Sequence, residues 1–353
     1  MNFEDILLVQ DPAHALGTIL GQTDAKSNKV ISQNISDDAG PCNKNIAVFG
    51  AAGSGKTFSF ALPFCDQALK RRESLVITDP RGEIFEKTAD KFRDAGYVVR
   101  CLNFQDPTQS DGWDPFAAEY NDPDRTAVMA SALKGEIKDI ISRLSFVQNM
   151  VSSEPAIDTT LPGKQPCVYY CILPHAGSSV TDIPALFVLL LLYDLVVYAD
   201  SCPGFKCKVP VNFLLDGFAH IGKIPAFDKR LATVRSRGIS FAITFDDLPQ
   251  LRILYGNETP AIMSHCATFL GFDFHEPETA KFFSDQVGTA SVAIRVEQLK
   301  KTRTQLMPLD HPSYDNRVTV TPDELMMLPT NKCFIIVQGV CAVDAYKHPY
   351  SGE

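Results

Sequence analysis

The feature that most constrains the fold of this chain is the run GAAGSGKT at residues 50–57. The preceding residues, NIAVF, have the continuous apolar character of a buried strand, and FSFALPFCDQAL after the run has the character of an apolar helix. Glycines let a backbone curl so that successive N–H groups face phosphate oxygens, and the positive end of the next helix adds to the attraction. The run therefore predicts a phosphate-binding loop, or P-loop.

The expected contacts of this loop divide between side chains and backbone. We expect Lys56 to reach the β- and γ-phosphates of a nucleoside triphosphate and the Thr57 hydroxyl to ligate Mg²⁺. The backbone of the other loop residues is expected to surround the phosphates: Gly50, Ala51, Ala52, Gly53, Ser54 and Gly55.

Apolar runs that end in turn residues alternate with longer stretches of helical spacing, which is typical of an α/β fold with a mostly parallel sheet and helices on both faces. We predict strands at residues 45–49, 74–78, 97–102, 167–173, 211–215, 240–244, 268–271 and 333–337. The apolar stretch at 183–198 is short for a membrane span and contains Asp194. We expect it to be a buried helix of the core.

Charge and cysteine usage exclude several classes of protein. The net charge of −9 argues against a basic surface that coats nucleic acid, so any contact with single-stranded DNA is expected to be weak. The ten cysteines lack the spacing of zinc ligands and are interpreted as reduced, mostly buried thiols. The first residues lack the pattern of a signal peptide, so we expect this chain to be soluble and cytoplasmic.

A second nucleotide-binding element is predicted at VNFLLD, where Asp216 follows an apolar strand. An acid at the carboxyl end of a parallel strand suits Mg²⁺, so Thr57 and Asp216 are the predicted metal ligands. Hydrolysis also needs a group that orients the attacking water. The next residue is Gly217, which has no side chain for that task.

Two further pairs of charged residues have two interpretations each. Asp79 and Glu83, in VITDPRGEIFEK, either face the nucleotide or form a turn with an acid at a helix start, where the helix dipole stabilises it. Arg235 and Arg237, in TVRSRGIS, either donate charge to a neighbouring subunit's nucleotide or are solvated cations at a helix end.

The order of these motifs, together with SDGWDPF, HEPETAKFFSDQVG and TPDELMMLP, resembles that of the type IV secretion coupling proteins, also called TraG-type conjugation ATPases. The resemblance covers roughly residues 17–347. It implies a RecA-like P-loop fold, ATP and Mg²⁺ as cofactors, and a hexameric motor at the cytoplasmic face of the bacterial membrane. Such motors pass relaxase-bound DNA or effector proteins to a secretion channel.

The resemblance also implies roles for single residues and a set of partners. Asp79 and Glu83 match the family's DPKGE-like motif near the nucleotide, and Asp216 matches its Mg²⁺-coordinating acid. Arg235 and Arg237 match a segment at the subunit interface of the hexamer. The implied partners are the relaxosome or effector proteins, the channel ATPases and inner-membrane subunits. A homo-hexamer is implied for the full-length protein, with a monomer as the alternative for this chain alone.

Two departures from the family pattern bear on catalysis. Gly217 stands where the family has the glutamate of DEFAN, and Asp246 stands where it has a glutamine that senses the γ-phosphate. Asp246 would repel phosphate unless Mg²⁺ or a lysine intervenes. Whether the chain is an enzyme is therefore open, with Glu83 or Asp246 as candidate substitutes for the missing glutamate.

The predicted domain organisation is simple. Residues 1–40 form an N-terminal extension that packs on the core, residues 41–346 form the nucleotide-binding domain, and residues 347–353 form a loose tail. The family's all-α domain would be inserted at a short junction near residues 116–125, and its membrane helices have no counterpart at the N-terminus. The chain is either a shortened form or a natural variant.

Three functions remain at this point. The first is an ATP-driven coupling protein that links a DNA–protein substrate or an effector to a type IV secretion channel. The second is a nucleotide-binding docking subunit without significant hydrolysis. A P-loop kinase is the third, although the sequence has no signature for a phosphoacceptor.

Overall fold

The structure is a computed structural model that describes residues 7–24, 29–33, 44–115, 122–132, 156–175, 182–301 and 306–350, with side chains described outside 290–317. The strands are β1 Leu7–Gln10, β2 Ile19–Gln22, β3 Val30–Gln33, β4 Ile46–Gly50, β5 Ser74–Asp79, β6 Val98–Asn103, β7 Cys167–Ile172, β8 Val211–Leu215, β9 Ile239–Phe245, β10 Thr268–Phe272, β11 Thr289–Lys301, β12 Leu306–Val318, β13 Lys332–Val337 and β14 Cys341–Tyr346.

The helices alternate with the central strands as the sequence predicts. They are α1 Leu62–Lys70, α2 Glu83–Asp94, α3 Pro123–Ala132, α4 Leu161–Lys164, α5 Ile183–Ser201, α6 Phe227–Val234, α7 Leu248–Tyr255, α8 Thr259–Ser264, α9 Pro277–Val287 and α10 Pro322–Met326. A wider π-helical turn, Thr57–Ala61, precedes α1.

Twelve of these strands form one sheet in the order β1-β3-β2-β14-β13-β10-β4-β9-β8-β5-β7-β6. The strands from β10 to β6 in this order are parallel to one another. Those from β1 to β13 add to β10 in antiparallel pairs. The remaining strands, β11 and β12, form a separate antiparallel hairpin. The predicted α/β class with a mostly parallel central sheet is confirmed.

The eight predicted strands correspond to β4 to β10 and β13. Continuous apolar runs form them because parallel strands covered by helices bury both faces. In β4, Ala47 and Phe49 face one apolar core, while Ile46 and Val48 face the other. Helix α5 lies in the first core, and α1 and α2 cover the second.

Among the described residues, α5 is the one helix long and apolar enough to cross a membrane, with a mean hydropathy of 2.0. It is buried inside the fold over 72% of its most apolar window. Of its two carboxylates, Asp194 is buried and accepts hydrogen bonds from Arg125 of α3 at 2.9 Å and Thr159 at 2.7 Å. The prediction of a buried core helix is confirmed.

The described cysteines are unpaired thiols, and all but Cys341 are buried. Burial raises the pKa of the Cys101 and Cys266 thiols to about 12, which keeps both protonated at neutral pH. The interpretation of reduced, mostly buried thiols is confirmed for this part of the chain.

The N-terminal strands β1 to β3 and the residues after β14 both contact the core. Strands β1 to β3 join the sheet through β14, whose partner residues are Tyr346 and Gln22. Beyond β14, the Lys347 ammonium lies 2.9 Å from the Asp273 carboxylate and donates to the Ser54 carbonyl. The expected loose tail therefore does not begin at residue 347, because this buried cation has partners in the core; residues 351–353 lie outside the described part. The junction predicted near 116–125 also lies outside it as far as residue 121.

Candidate nucleotide-binding site

The P-loop lies between the end of β4 and the helical turn that leads into α1. Gly53 and Gly55 adopt φ values of 82° and 87°, in the left-handed region that favours glycine. A Cβ on Gly50 would lie 2.6 Å from Ser54 Oγ and 2.8 Å from the Phe272 carbonyl oxygen, so this position also requires glycine. The strand, glycine loop and helix predicted from the motif are all present.

The Lys56 ammonium is held by three acceptors at the base of the loop. It donates to the carbonyl oxygen of Gly50, to that of Ala51 at 3.2 Å and to Asp246 Oδ1 at 2.9 Å. An ammonium has three N–H donors, so these contacts use its full capacity. A phosphate that binds Lys56 therefore has to compete with the Asp246 carboxylate.

Asp216 ends β8 beside the P-loop, as predicted. Its Oδ1 accepts a hydrogen bond from the Thr244 hydroxyl at 2.6 Å, and the same hydroxyl accepts from the Gly217 N–H at 2.9 Å. Burial raises the pKa of Asp216, while the Thr244 bond and the Lys56 charge oppose that shift. A cation at this carboxylate would favour its ionised form.

Gly217 has a backbone conformation that explains why no larger residue stands there. Its φ of 63° and ψ of 44° are left-handed, and a Cβ would lie 2.6 Å from Pro80 Cγ. A glutamate at position 217 would therefore require a shift of the surrounding structure as well as a new side chain, because Pro80 fills the space where that side chain would begin.

The Asp79 carboxylate is directed at the start of α2. It accepts backbone N–H bonds from Gly82 at 2.9 Å, Ile84 at 2.8 Å and Phe85 at 2.9 Å, with a longer bond from Arg81. Burial raises the pKa of Asp79 to about 6, although these bonds lower it. This geometry supports the interpretation of Asp79 as an acid at a helix start. Glu83, on the first turn of α2, lies 3.6 Å from Arg81.

The two arginines of the predicted finger segment lie far from these groups within one chain. Both precede β9, whereas Asp246 follows it, and a seven-residue strand spans roughly 23 Å. Arg237 forms a bidentate ion pair with Asp200 at 2.7 and 2.9 Å. The structure does not bring Arg235 or Arg237 to the P-loop of their own chain.

The remaining candidates, except Gly50 and Ala51, line one cavity of about 360 Å³ at the carboxyl edge of the sheet. Its lining combines the loops after β4, β5, β8 and β9: Ala52, Gly53, Ser54, Gly55, Lys56, Thr57, Phe58, Asp79, Pro80, Arg81, Glu83, Asp216, Gly217, His220 and Asp246. Sequence reasoning missed Phe58, Pro80 and His220. The ring of Phe58, directly after the motif, was the one signal that could have been noticed.

These residues can accommodate a nucleoside triphosphate and Mg²⁺. The glycine loop lines the cavity, and Thr57 and Asp216 offer two oxygen ligands there. Among the described residues, no three His, Cys, Asp or Glu side chains form a metal cluster by themselves.

The sheet order, with the P-loop after β4 and acids after the neighbouring strands, defines the RecA-like P-loop NTPase fold. Two family models match the chain. The model described as type IV secretory system conjugative DNA transfer matches residues 14–139, and that described as the TraM recognition site of TraD and TraG matches residues 210–330. The chain belongs to the coupling proteins of type IV secretion systems.

Two curated relatives are similar to this chain over part of their length. VirD4 of Agrobacterium fabrum is 23% identical over 180 residues, and VirD4 of Rhizobium rhizogenes is 22% identical over the same length. Each match covers 50% of this chain and 26% of the relative, so the similarity spans about a quarter of those proteins.

The structural matches show the fold. The plasmid coupling protein TrwB in complex with ADP and Mg²⁺ has a TM-score of 0.63 at 14% identity, over 86% of this chain and 85% of TrwB. VirB4 of Thermoanaerobacter pseudethanolicus has a TM-score of 0.52 at 12% identity, over 95% of this chain and 97% of VirB4.

Proposed function

We propose that this chain binds ATP and Mg²⁺ in the cavity at the P-loop. The observation that carries the proposal is that Lys56 and Thr57 of the P-loop line one cavity with Asp216, which is distant in the sequence. Lys56 would hold the β- and γ-phosphates, and Thr57 and Asp216 would hold Mg²⁺. The loop backbone from Gly50 to Gly55 would surround the phosphates. TrwB, which shares the fold, has been solved with ADP and Mg²⁺ and with non-hydrolysable ATP and GTP analogues.

The biological role that follows from the family is coupling. The chain would link a DNA–protein substrate or an effector protein to the ATPases and inner-membrane subunits of a type IV secretion channel, at the cytoplasmic face of the membrane. The match of residues 210–330 to a TraM recognition site supports a TraM-like protein as a partner. With a net charge of −9, tight binding of single-stranded DNA by the chain alone is not expected.

The arginine segment fits this role only in an oligomer. Because Arg235 and Arg237 lie at the amino edge of the sheet, either could approach a nucleotide held by a neighbouring subunit. In a homo-hexamer of this kind ATP would lie between subunits, and closure of that interface would move the inner loops. Asp79 and Glu83 would line the nucleotide on the side of α2.

A second candidate function is a nucleotide-gated docking subunit with little hydrolysis. Two observations favour it: Pro80 fills the space of a side chain at Gly217, and Asp246 forms an ion pair with Lys56. Loss of one group that positions water or stabilises charge commonly lowers a rate by about 10²–10³-fold. Glu83 and Asp246 are the carboxylates in the cavity that could replace the missing one.

Phosphate release from ATP, with ATP binding measured in parallel, separates the two functions. Turnover by the native chain that disappears in Lys56→Ala supports the motor. Binding without turnover above that variant supports the docking subunit. Equal binding by the native chain and Lys56→Ala would contradict both.

A further inference from the structure

Phe58, the residue directly after the P-loop, presents an aromatic ring at the wall of a polar cavity. Its side chain is 46% exposed, and it lines the cavity with Thr57, Pro80 and Arg81. A single exposed apolar side chain on an open surface needs no explanation. This ring differs because it lies beside the groups that would hold the phosphates.

The backbone holds the ring outward. Phe58 lies in the turn that begins at Thr57, where the Ser59 N–H donates to the Gly55 carbonyl at 2.8 Å. The next residues of the turn are buried, and the Phe60 and Phe64 rings pack together inside the core at 5.7 Å. Phe58 therefore cannot turn inward without displacing them.

A lysine of α2 contacts the face of the Phe58 ring. The Lys87 ammonium lies 5.3 Å from the centroid of the Phe58 ring, within the range of a cation–π contact. This contact places the ring on the wall of the cavity that faces α2. Arg81, which precedes α2, also lines the cavity, while Pro80 packs against Gly217.

The other end of the cavity contains the residues that are expected to bind phosphate and metal. Lys56, Asp216 and Asp246 come from three adjacent strand ends and carry its fixed charges. The second ring on the lining, His220, belongs to this end, because its Cδ2 lies 3.4 Å from the position of a Cβ on Gly217. With the phosphates held there, we expect the nucleoside to extend toward Phe58, which directly follows Lys56 and Thr57.

We propose that Phe58 is the platform on which the nucleobase stacks. The inference rests on the proposed nucleotide binding and adds to it the part of the ligand that the P-loop does not contact. Stacking uses the π-face that every base has and does not read its hydrogen-bonding edge. Phe58 therefore contributes to affinity for adenine and guanine nucleotides alike.

Calorimetric titration with Mg²⁺ and ATP, GTP or inorganic tripolyphosphate tests the proposal on the whole chain. Phe58→Ala is expected to weaken ATP and GTP about 5- to 100-fold, and by similar factors. Tripolyphosphate, which has no base, should bind the native chain and the variant equally. Phe58→Tyr should retain native affinity for both nucleotides. The control Phe205→Ala removes a ring that is 67% exposed and not on the cavity lining, and it should change nothing.

A second readout uses Phe58→Trp. Stacking of a base should quench the new tryptophan when ATP or GTP is added, and tripolyphosphate should not. The native tryptophan, Trp113, is 1% exposed and packs against Phe187, so it gives a constant background.

The outcomes distinguish a failure of base stacking on Phe58 from a failure of the proposed nucleotide binding. If the native chain binds ATP, Lys56→Ala does not, and Phe58→Ala binds ATP as tightly as the native chain, base stacking on Phe58 is wrong and nucleotide binding stands. If the native chain binds neither ATP nor tripolyphosphate, or Lys56→Ala binds both unchanged, nucleotide binding is overturned and this inference with it.

Discussion

Two residues at the carboxyl edge of the sheet determine what the cavity can do with a nucleotide. Gly217 removes a carboxylate and Asp246 adds one, but the two changes act differently. The first is built into the backbone, because Pro80 packs against Gly217. The second acts through charge, because Asp246 lies 2.9 Å from the Lys56 ammonium.

Restoring the family's glutamate should fail for a steric reason. Gly217→Glu places a Cβ against Pro80 in a left-handed backbone, and we expect a loss of about 1–3 kcal/mol in the free energy of unfolding without a gain in phosphate release. Gly217→Ala should lose a similar amount, and Pro80→Ala should recover part of it in the double variant. Urea unfolding measures the losses. Full stability with faster phosphate release in Gly217→Glu would refute this explanation.

Neutralising Asp246 should strengthen triphosphate binding. Asp246→Asn removes the charge that competes with phosphate for Lys56, and we expect ATP affinity to rise by about 3- to 10-fold. Asp247→Asn is the matched control, because it removes one charge from the next residue while keeping an amide oxygen that can cap α7. Weaker Mg²⁺-ATP binding by Asp246→Asn would instead make Asp246 a ligand on the metal side.

At the scale of elements, a buried ion pair ties the helix after the predicted junction to the core. Arg125 of α3 bonds the Asp194 carboxylate of α5 and the carbonyl oxygen of Pro115. Both charged side chains are at most 6% exposed. These polar contacts fix the position of α3 against the otherwise apolar helix α5.

Removing one partner of this ion pair should lower the free energy of unfolding more than replacing both partners with apolar side chains. Asp194→Ala leaves the Arg125 charge buried without its carboxylate, and we expect a loss of about 3–5 kcal/mol. The double variant Arg125→Met/Asp194→Leu should be more stable than Asp194→Ala, because no uncompensated charge remains. Urea unfolding of the three proteins decides. A double variant that is no more stable than Asp194→Ala would contradict this explanation.

The start of α2 should make stability depend on pH in an unusual direction. Burial raises the pKa of Asp79 from its ordinary value of 3.8 to about 6 in the folded chain, so between these values the folded state binds more protons. Its contribution to stability is therefore largest below about pH 4 and is lost as pH rises through 6, by about 3 kcal/mol in total. Unfolding measured from pH 4 to 7 should show this slope in the native chain relative to Asp79→Asn. Parallel curves for the two proteins would contradict it.

At the scale of the whole molecule, the sequence predicts the central sheet better than its extensions. The runs that form β4 to β10 are mainly apolar, with both faces buried in strands such as β4 and β8, and that pattern is local. Strands β1 to β3 have four residues each and polar ends, and β14 alternates, so their identity depends on pairing with distant strands. Local pattern does not contain that information.

The candidate site likewise has one part that the sequence predicts and another that depends on the fold. The motif was sufficient to predict the loop around Lys56 and the strand-end position of Asp216. The contact of Pro80 with Gly217 and the pair between Lys56 and Asp246 depend on loops after four different strands meeting at one edge. The roles predicted for Glu83, Arg235 and Arg237 stay predictions, since they concern the bound nucleotide or a neighbouring subunit.

The central claim is that this cavity binds a nucleoside triphosphate with Mg²⁺ through the P-loop. Calorimetric titration of the purified chain with ATP, in the presence of Mg²⁺ and then of EDTA, tests it most directly. We predict saturable one-site binding that weakens at least tenfold without Mg²⁺ and at least tenfold in Lys56→Ala. Binding that is unchanged by both, or no heat of binding in the native chain, would contradict the account.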